Sequence, residues 1–137
     1  MIVKEFKITD EKITELLRSN PNLGKNSHIG NLAVKIVELY FLSVDPKATF
    51  VINKKGIDIE VKYLNKIECF EIKGTADVNI SWAKLKVSSK KSHDALINGM
   101  TLIRVTNIGN TTMNLYFMQH GIDFKLLPEP RWSVVNV

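Results

Sequence analysis

The chain predicts an α/β fold: a mixed sheet with helices on its faces. Three observations point there. Residues 57–64 and 67–73 alternate apolar and polar side chains on either side of Asn65-Lys66, the pattern of a half-buried β-hairpin. A helical apolar period runs through residues 27–43 before it, and a shorter one follows Ser89. Two more alternating runs, 101–106 and 112–118, close the pattern across Ile108-Gly109-Asn110-Thr111. The order is helix, three strands, helix, strand, strand, which suggests a mixed sheet covered on its faces.

Taken in order, Thr9 or Asp10 can cap a helix ending at Ser19, with Ile13, Leu16 and Leu17 as its apolar stripe. Asn20-Pro21-Asn22-Leu23-Gly24 stops it. Ser27 is a candidate N-cap for a longer helix to about Ser43, stopped by Asp45-Pro46. Ile29, Ala33, Ile36, Val37 and Tyr40 form its buried side, while Glu38 shares another side with Asn31, Val34 and Leu42. That stripe is mixed, so Glu38 is either a solvated helix residue or part of a site. Ala48 to Asn53 reads as a strand and Lys54-Lys55-Gly56 as a turn into the hairpin. A loop at Gly74–Asp77 leads to an extended stretch through Val87, and Ser88 or Ser89 caps a helix closed by Asn98-Gly99. The tail, Ile122 to Val137, contains Pro128 and Pro130 and reads as an edge strand or extended arm.

With 137 residues, 45% of them hydrophobic, the chain has enough material for one core, so residues 1–137 are expected to form a single domain. Cys69 is the lone cysteine, which excludes a disulfide framework and a cysteine-based metal site. Lys4 and Glu5 come too early for a secretory signal, and the apolar run from Leu32 to Val44 is broken by Lys35 and Glu38. A soluble, cytoplasmic protein is expected. The net charge of +5 favours polyanionic partners without singling one out.

The hairpin carries the chemistry. With Asn65-Lys66 as a two-residue turn, Asp58 falls opposite Lys73 and Glu60 opposite Glu71, all on one face, while Ile59, Val61, Phe70 and Ile72 fill the other. Two carboxylates about 4 Å apart repel by roughly 4 kcal/mol at an effective dielectric near 20. One lysine cannot neutralise three of them, but a divalent cation can, and magnesium or manganese takes oxygen ligands while keeping several waters. The alternative is a solvated strand face.

Acidic-x-Lys triplets begin at Glu5, Asp10, Asp45, Glu60, Glu71 and Asp123. Only Glu71-Ile72-Lys73 has an aspartate on the paired strand, a strand before it and a helix after it. In that setting the chain resembles the PD-(D/E)XK nuclease superfamily, the restriction-endonuclease-like fold, over about residues 27–107, with an extra N-terminal helix and C-terminal strands outside the core. The matching residues are Asp58, Glu71 and Lys73, with Glu38 as the helix carboxylate. Ile57 stands where that family often has proline. Val34 stands where one group of its small domains has a helix glutamate, and Glu38 lies one turn later. The resemblance implies metal-assisted hydrolysis of DNA phosphodiester bonds in restriction, recombination or repair. Asp58, Glu71, the Ile72 carbonyl and Glu38 would hold Mg2+ or Mn2+, and Lys73 would assist the attacking water. It also implies a homodimer, because two strands require two sites. Neither a membrane partner nor an organic cofactor is implied.

Lys84, Lys86, Ser89, Lys90 and Lys91 follow the motif and could meet a phosphate backbone, or form a solvated basic turn. His28, His93 and His120 lack metal-ligand spacing, and Trp82 and Trp132 read as packing residues more readily than as base-stacking ones. The competing function is a catalytically inactive nuclease-fold domain that binds nucleic acid or a protein partner.

Overall fold

The fold, a computed structural model, describes residues 1–54, 56–129 and 131–137. Lys55 and Pro130, and the side chains of Lys54 and Glu129, lie outside the described residues, so the expected turn at Lys54-Lys55-Gly56 is described only at its ends.

Among the described residues, nine strands and three α-helices follow one another as β1 (Ile2–Lys7), α1 (Asp10–Ser19), α2 (Asn26–Val44), β2 (Thr49–Lys54), β3 (Ile57–Tyr63), β4 (Lys66–Gly74), β5 (Lys86–Val87), α3 (Lys90–Ile97), β6 (Thr101–Thr106), β7 (Thr112–Met118), β8 (Phe124–Glu129) and β9 (Arg131–Asn136), with one 3-10 turn at Trp82–Lys84. A six-stranded mixed sheet has the order β1-β7-β6-β4-β3-β2, in which the β4/β6 pair is parallel and the other pairs of described strands are antiparallel. That pair needs a crossover, and α3 lies in it. A smaller sheet, β5-β9-β8, is antiparallel.

Two apolar layers hold these pieces together. On one face of the large sheet, Leu32, Ala33, Ile36, Val37 and Phe41 of α2 pack on Ile59, Val61, Phe70, Ile72, Ile103 and Val105. Each such buried side chain contributes roughly 1.5–3 kcal/mol relative to exposure. On the other face, Leu102 and Met118 meet Leu96 of α3 together with Leu85, Val87, Phe124 and Val134 around the small sheet. Trp82 and Trp132 pack at the edge of this second layer, and His93 stacks on Trp132 at a centroid distance of 4.5 Å. Among the described residues, no helix is long and apolar enough to cross a membrane.

α1 begins as expected, with the Thr9 side chain accepting from the Lys12 amide. α2 begins earlier than the expected Ser27 cap: Lys25 is the N-cap residue, and its side chain makes no capping hydrogen bond among the described residues. The N-terminal residues, expected only to lack a signal, pair as β1 with β7 from Ile2↔Phe117 to Lys7↔Thr112. The tail is not a single arm but the β8/β9 hairpin.

The β3/β4 turn is a correction. It sits at Leu64-Asn65, with φ of 47° and 63°, and not at Asn65-Lys66. Tyr63 therefore pairs with Lys66, Glu60 with Cys69 and Ile59 with Phe70, so neither Asp58↔Lys73 nor Glu60↔Glu71 is a pair. Two left-handed residues in succession fit the right-handed twist of a hairpin. The Tyr63 hydroxyl donates to Glu68 at 2.6 Å and Lys66 Nζ lies 4.8 Å from the Tyr63 ring, both of which favour this closing pair. Moving a turn by one residue moves each partner by two, and side-chain direction has a period of two, so every residue keeps its expected face. Leu64 is a costly choice for φ of 47°. Leu64→Asn is expected to raise stability by about 1 kcal/mol, read as a higher urea midpoint at unchanged slope.

Candidate active site

Paired backbone between β3 and β4 runs from Tyr63↔Lys66 to Ile59↔Phe70. Beyond it, the Ile72 N–H donates to the Asp58 side chain, reaching Oδ2 at 2.8 Å. Asp58 thus takes a backbone donor that a longer ladder would have satisfied, and its carboxylate is fixed at the point where the pairing stops. Lys73 Nζ lies 3.4 Å from Glu71 Oε2. The aspartate, glutamate and lysine of the sequence motif are therefore brought together. Glu60 sits farther along the hairpin, with the Cys69 thiol 4.0 Å from its Oε2.

A cleft of about 610 Å³ opens at this point, lined by Asp58, Ile72 and Lys73, by Ile52 and Asn53 of β2, and by one side of α2. That side includes Asn31, Val34 and Glu38, the mixed stripe seen in the sequence. Glu38 is half-buried, and its carboxylate is 3.7 Å from Lys35 Nζ, which also lines the cleft. The Asn31 amide donates to Asn20 Oδ1 at 3.1 Å, tying the end of α1 to the same wall.

Gly74 explains how α2 comes so near the end of β4. A Cβ on Gly74 would fall 2.6 Å from Ile108 Cδ1 and 2.8 Å from Ala33 Cβ, closer than packed atoms tolerate. Gly74→Ala is expected to cost about 1–3 kcal/mol through overpacking, measured by urea denaturation.

Glu71 differs from its neighbours in being almost fully buried, at 3% exposure. Its Oε1 has no hydrogen-bond partner among the described residues. Burial, and then the nearby Asp58 charge, push its pKa up to about 7, against the opposing pull of Lys73 and of the Ser92 hydroxyl. Ser92 belongs to α3, and its Oγ accepts from the Ser89 hydroxyl at 2.9 Å, which leaves its own proton available to Glu71.

The donor set suits a hard divalent cation of the magnesium type. Such an ion commonly takes one or two protein carboxylates and fills the rest of its shell with water and substrate phosphate. Asp58 and Glu71 supply two, and Glu71 Oε1 is a buried oxygen with no hydrogen-bond partner among the described residues. Among the described residues, no group of three or more His, Cys, Asp or Glu side chains converges to complete a cage of protein ligands.

The basic residues expected beside the motif are dispersed. Lys84 pairs with Asp77 at 2.9 Å and Lys90 with Asp94 at 3.4 Å. Lys86 donates to the Ser133 hydroxyl at 2.7 Å within the small sheet. Ser89 spends its hydroxyl on α3, accepting from the Ser92 amide as its N-cap. Lys91 is the one close to the motif: its Cδ would lie 2.8 Å from a Cβ at Gly56, two residues before Asp58. Of the histidines, His28 accepts from the Asn22 amide at 3.0 Å and His120 makes an edge contact with Phe124.

Ser92 and Arg104 were missed. Ser92 carried no signal beyond its place in a helix. Arg104 did carry one, as a charge inside the apolar run Leu102–Val105, and it pairs in register with Lys73. No family model matches the chain, and no curated protein or solved structure matches it either.

Proposed function

We propose that this chain is a magnesium- or manganese-dependent endonuclease acting on DNA phosphodiester bonds. The observation that carries the reading is the nearness of Asp58, Glu71 and Lys73 where the β3/β4 ladder stops, with Asp58 and Lys73 lining the cleft shared with Glu38. The restriction-endonuclease-like core expected from the sequence runs helix, three strands, helix, strand, and α2, β2, β3, β4, α3 and β6 follow that order, with the short β5 added.

Within this reading Asp58 and Glu71 would hold the cation, and Glu38 and the Ile72 carbonyl would be the further oxygen donors, both residues lining the same cleft. The bound cation would neutralise charge on the phosphate and favour ionisation of the attacking water. Lys73 would orient that water or offset charge building on the phosphate. Lys91 extends positive charge along the approach to Asp58. Cutting a duplex calls for two such sites, which is the argument for a homodimer.

The second reading is a nuclease-fold domain that binds nucleic acid or a protein partner without cleaving. What favours it is the buried Glu71, whose ionisation is disfavoured in the metal-free protein. Incubating the protein with supercoiled plasmid, linear duplex and a four-way junction in magnesium or manganese separates the two. Metal-dependent cleavage of any of them, with the preferred form naming the subclass, is expected. Binding without cleavage, together with no heat of metal binding, would leave the second reading.

A further inference from the structure

Arg104 is buried to 2% exposure, and its Nη2 has no hydrogen-bond partner among the described residues. Its other two nitrogens are each engaged once, Nε on the Ile80 carbonyl at 2.9 Å and Nη1 on the Gly74 carbonyl at 3.0 Å. A buried guanidinium N–H left unpaired is costly, and such groups in native folds call for an explanation. Burial pushes the Arg104 pKa down to about 10, so the group stays cationic at neutral pH.

Arg104 lines a pocket of about 310 Å³ whose other walls include Asn26 at the start of α2, Gly74, Thr75, Asp77 and Lys84. α2 is 19 residues long, has no side-chain cap and carries no acidic residue in its first turn. The first N–H groups of a helix have no partner inside it, and together with the macrodipole they favour an anion. Asp77 is the one carboxylate on the wall, and it is already engaged by Lys84 at 2.9 Å and by the Ser81 hydroxyl at 2.6 Å. The pocket adjoins the cleft of the candidate active site. Ile29 and Gly74 line the pocket, while their chain neighbours Gly30 and Lys73 line the cleft. Two strand residues, from Lys73 to Thr75, span about 7 Å, which is on the order of one nucleotide step.

We propose that Arg104, the uncapped N-terminus of α2 and the loop after Gly74 form a second phosphate site, which holds a backbone phosphate of the nucleic acid flanking the one in the cleft. This deepens the nuclease reading and rests on it. The site fixes the register of the strand across Asp58 and Lys73 and carries no base preference, as phosphate contacts position without specifying sequence.

The test is oligonucleotide binding by fluorescence anisotropy in calcium across a salt series, with magnesium-dependent cleavage measured separately. Asn26→Glu places a carboxylate at the helix N-terminus, where it stabilises α2 and repels a phosphate. It is expected to hold or raise Tm, to weaken binding by about tenfold and to lower the salt slope by about one. Arg104→Met should weaken binding similarly if it folds. Lys4→Gln, the same change in charge on the far edge strand β1, should alter binding less than Asn26→Glu. Asn26→Glu protein that folds and binds with the wild-type Kd and salt slope would overturn the site, as would inorganic phosphate binding without oligonucleotide binding. Binding that is sensitive to Asn26→Glu without any cleavage would reject the hydrolase and keep the site. Cleavage with insensitive binding would do the reverse.

Discussion

Lys73→Ala is expected to abolish magnesium-dependent cleavage and, at the same time, to tighten binding of the metal. The two effects come from one atom. Nζ of Lys73 stands 3.4 Å from Glu71 Oε2, where it supplies part of the positive charge that the buried carboxylate lacks. A divalent ion held by Asp58 and Glu71 would take over that role. Without the ammonium, the carboxylates lose their internal counter-ion and the affinity for Mn2+ should rise by about tenfold, while a lost electrostatic or proton-transfer contribution lowers the rate by roughly 10²–10⁴. Asp58→Ala should lose both metal binding and cleavage, but it also removes the acceptor for the Ile72 N–H, at a cost of about 1–3 kcal/mol. Asp58→Asn keeps an acceptor there and so separates ligation from folding. Calorimetric titration with MnCl2 beside a plasmid-nicking assay reads both quantities. If Lys73→Ala cuts at close to the wild-type rate, or Asp58→Asn binds Mn2+ as tightly as wild type, the assignment of these residues is wrong.

That Asp58, Glu71 and Lys73 could be placed on one strand face from sequence alone follows from the two-residue period of a strand. The turn was expected one residue too late, yet the resulting shift of two left Ile59, Val61, Phe70 and Ile72 on the α2 side. α2 was equally legible, because the mixed stripe of Asn31, Val34 and Glu38 is neither a core face nor a charged one, and it lines a cleft. What escaped depends on contacts distant in sequence. Ile2–Lys7 alternates too weakly against its three charges to read as a strand, and it is held by β7 from the other end of the chain. β5 is two residues long and exists only because β9 pairs with it. The burial of Glu71 was hidden for the same reason. Alternation assigns a residue to the polar face but does not say that α3 and Leu102 will cover that face.

This burial sets the last expectation, a metal-free protein that loses stability as pH rises through neutrality. The Glu71 carboxyl binds its proton more tightly folded than unfolded, with a pKa raised from 4.5 to about 7. Between those values the native state holds more protons than the unfolded chain, so stability falls with rising pH. The contribution is fully present below the unfolded value and is gone above the folded one. A shift of that size corresponds to about 3 kcal/mol lost between pH 4.5 and pH 8. Asp45, Asp77 and Asp94 work in the opposite sense. Hydrogen bonds and neighbouring cations hold their pKa values low, so their contributions are lost only in acid, below this window. Glu71→Gln removes the proton uptake while keeping shape and polarity, so the difference between wild type and variant isolates the one group. Urea midpoints in EDTA at pH 5.5 and pH 8 should fall for wild type and stay nearly level for Glu71→Gln. Manganese should restore the wild type at pH 8 and do little at pH 5.5, because the ion competes with the proton for the same oxygens. A wild-type midpoint that stays level or rises with pH would mean that Glu71 is ionised without a metal, with Lys73 alone sufficient to hold it.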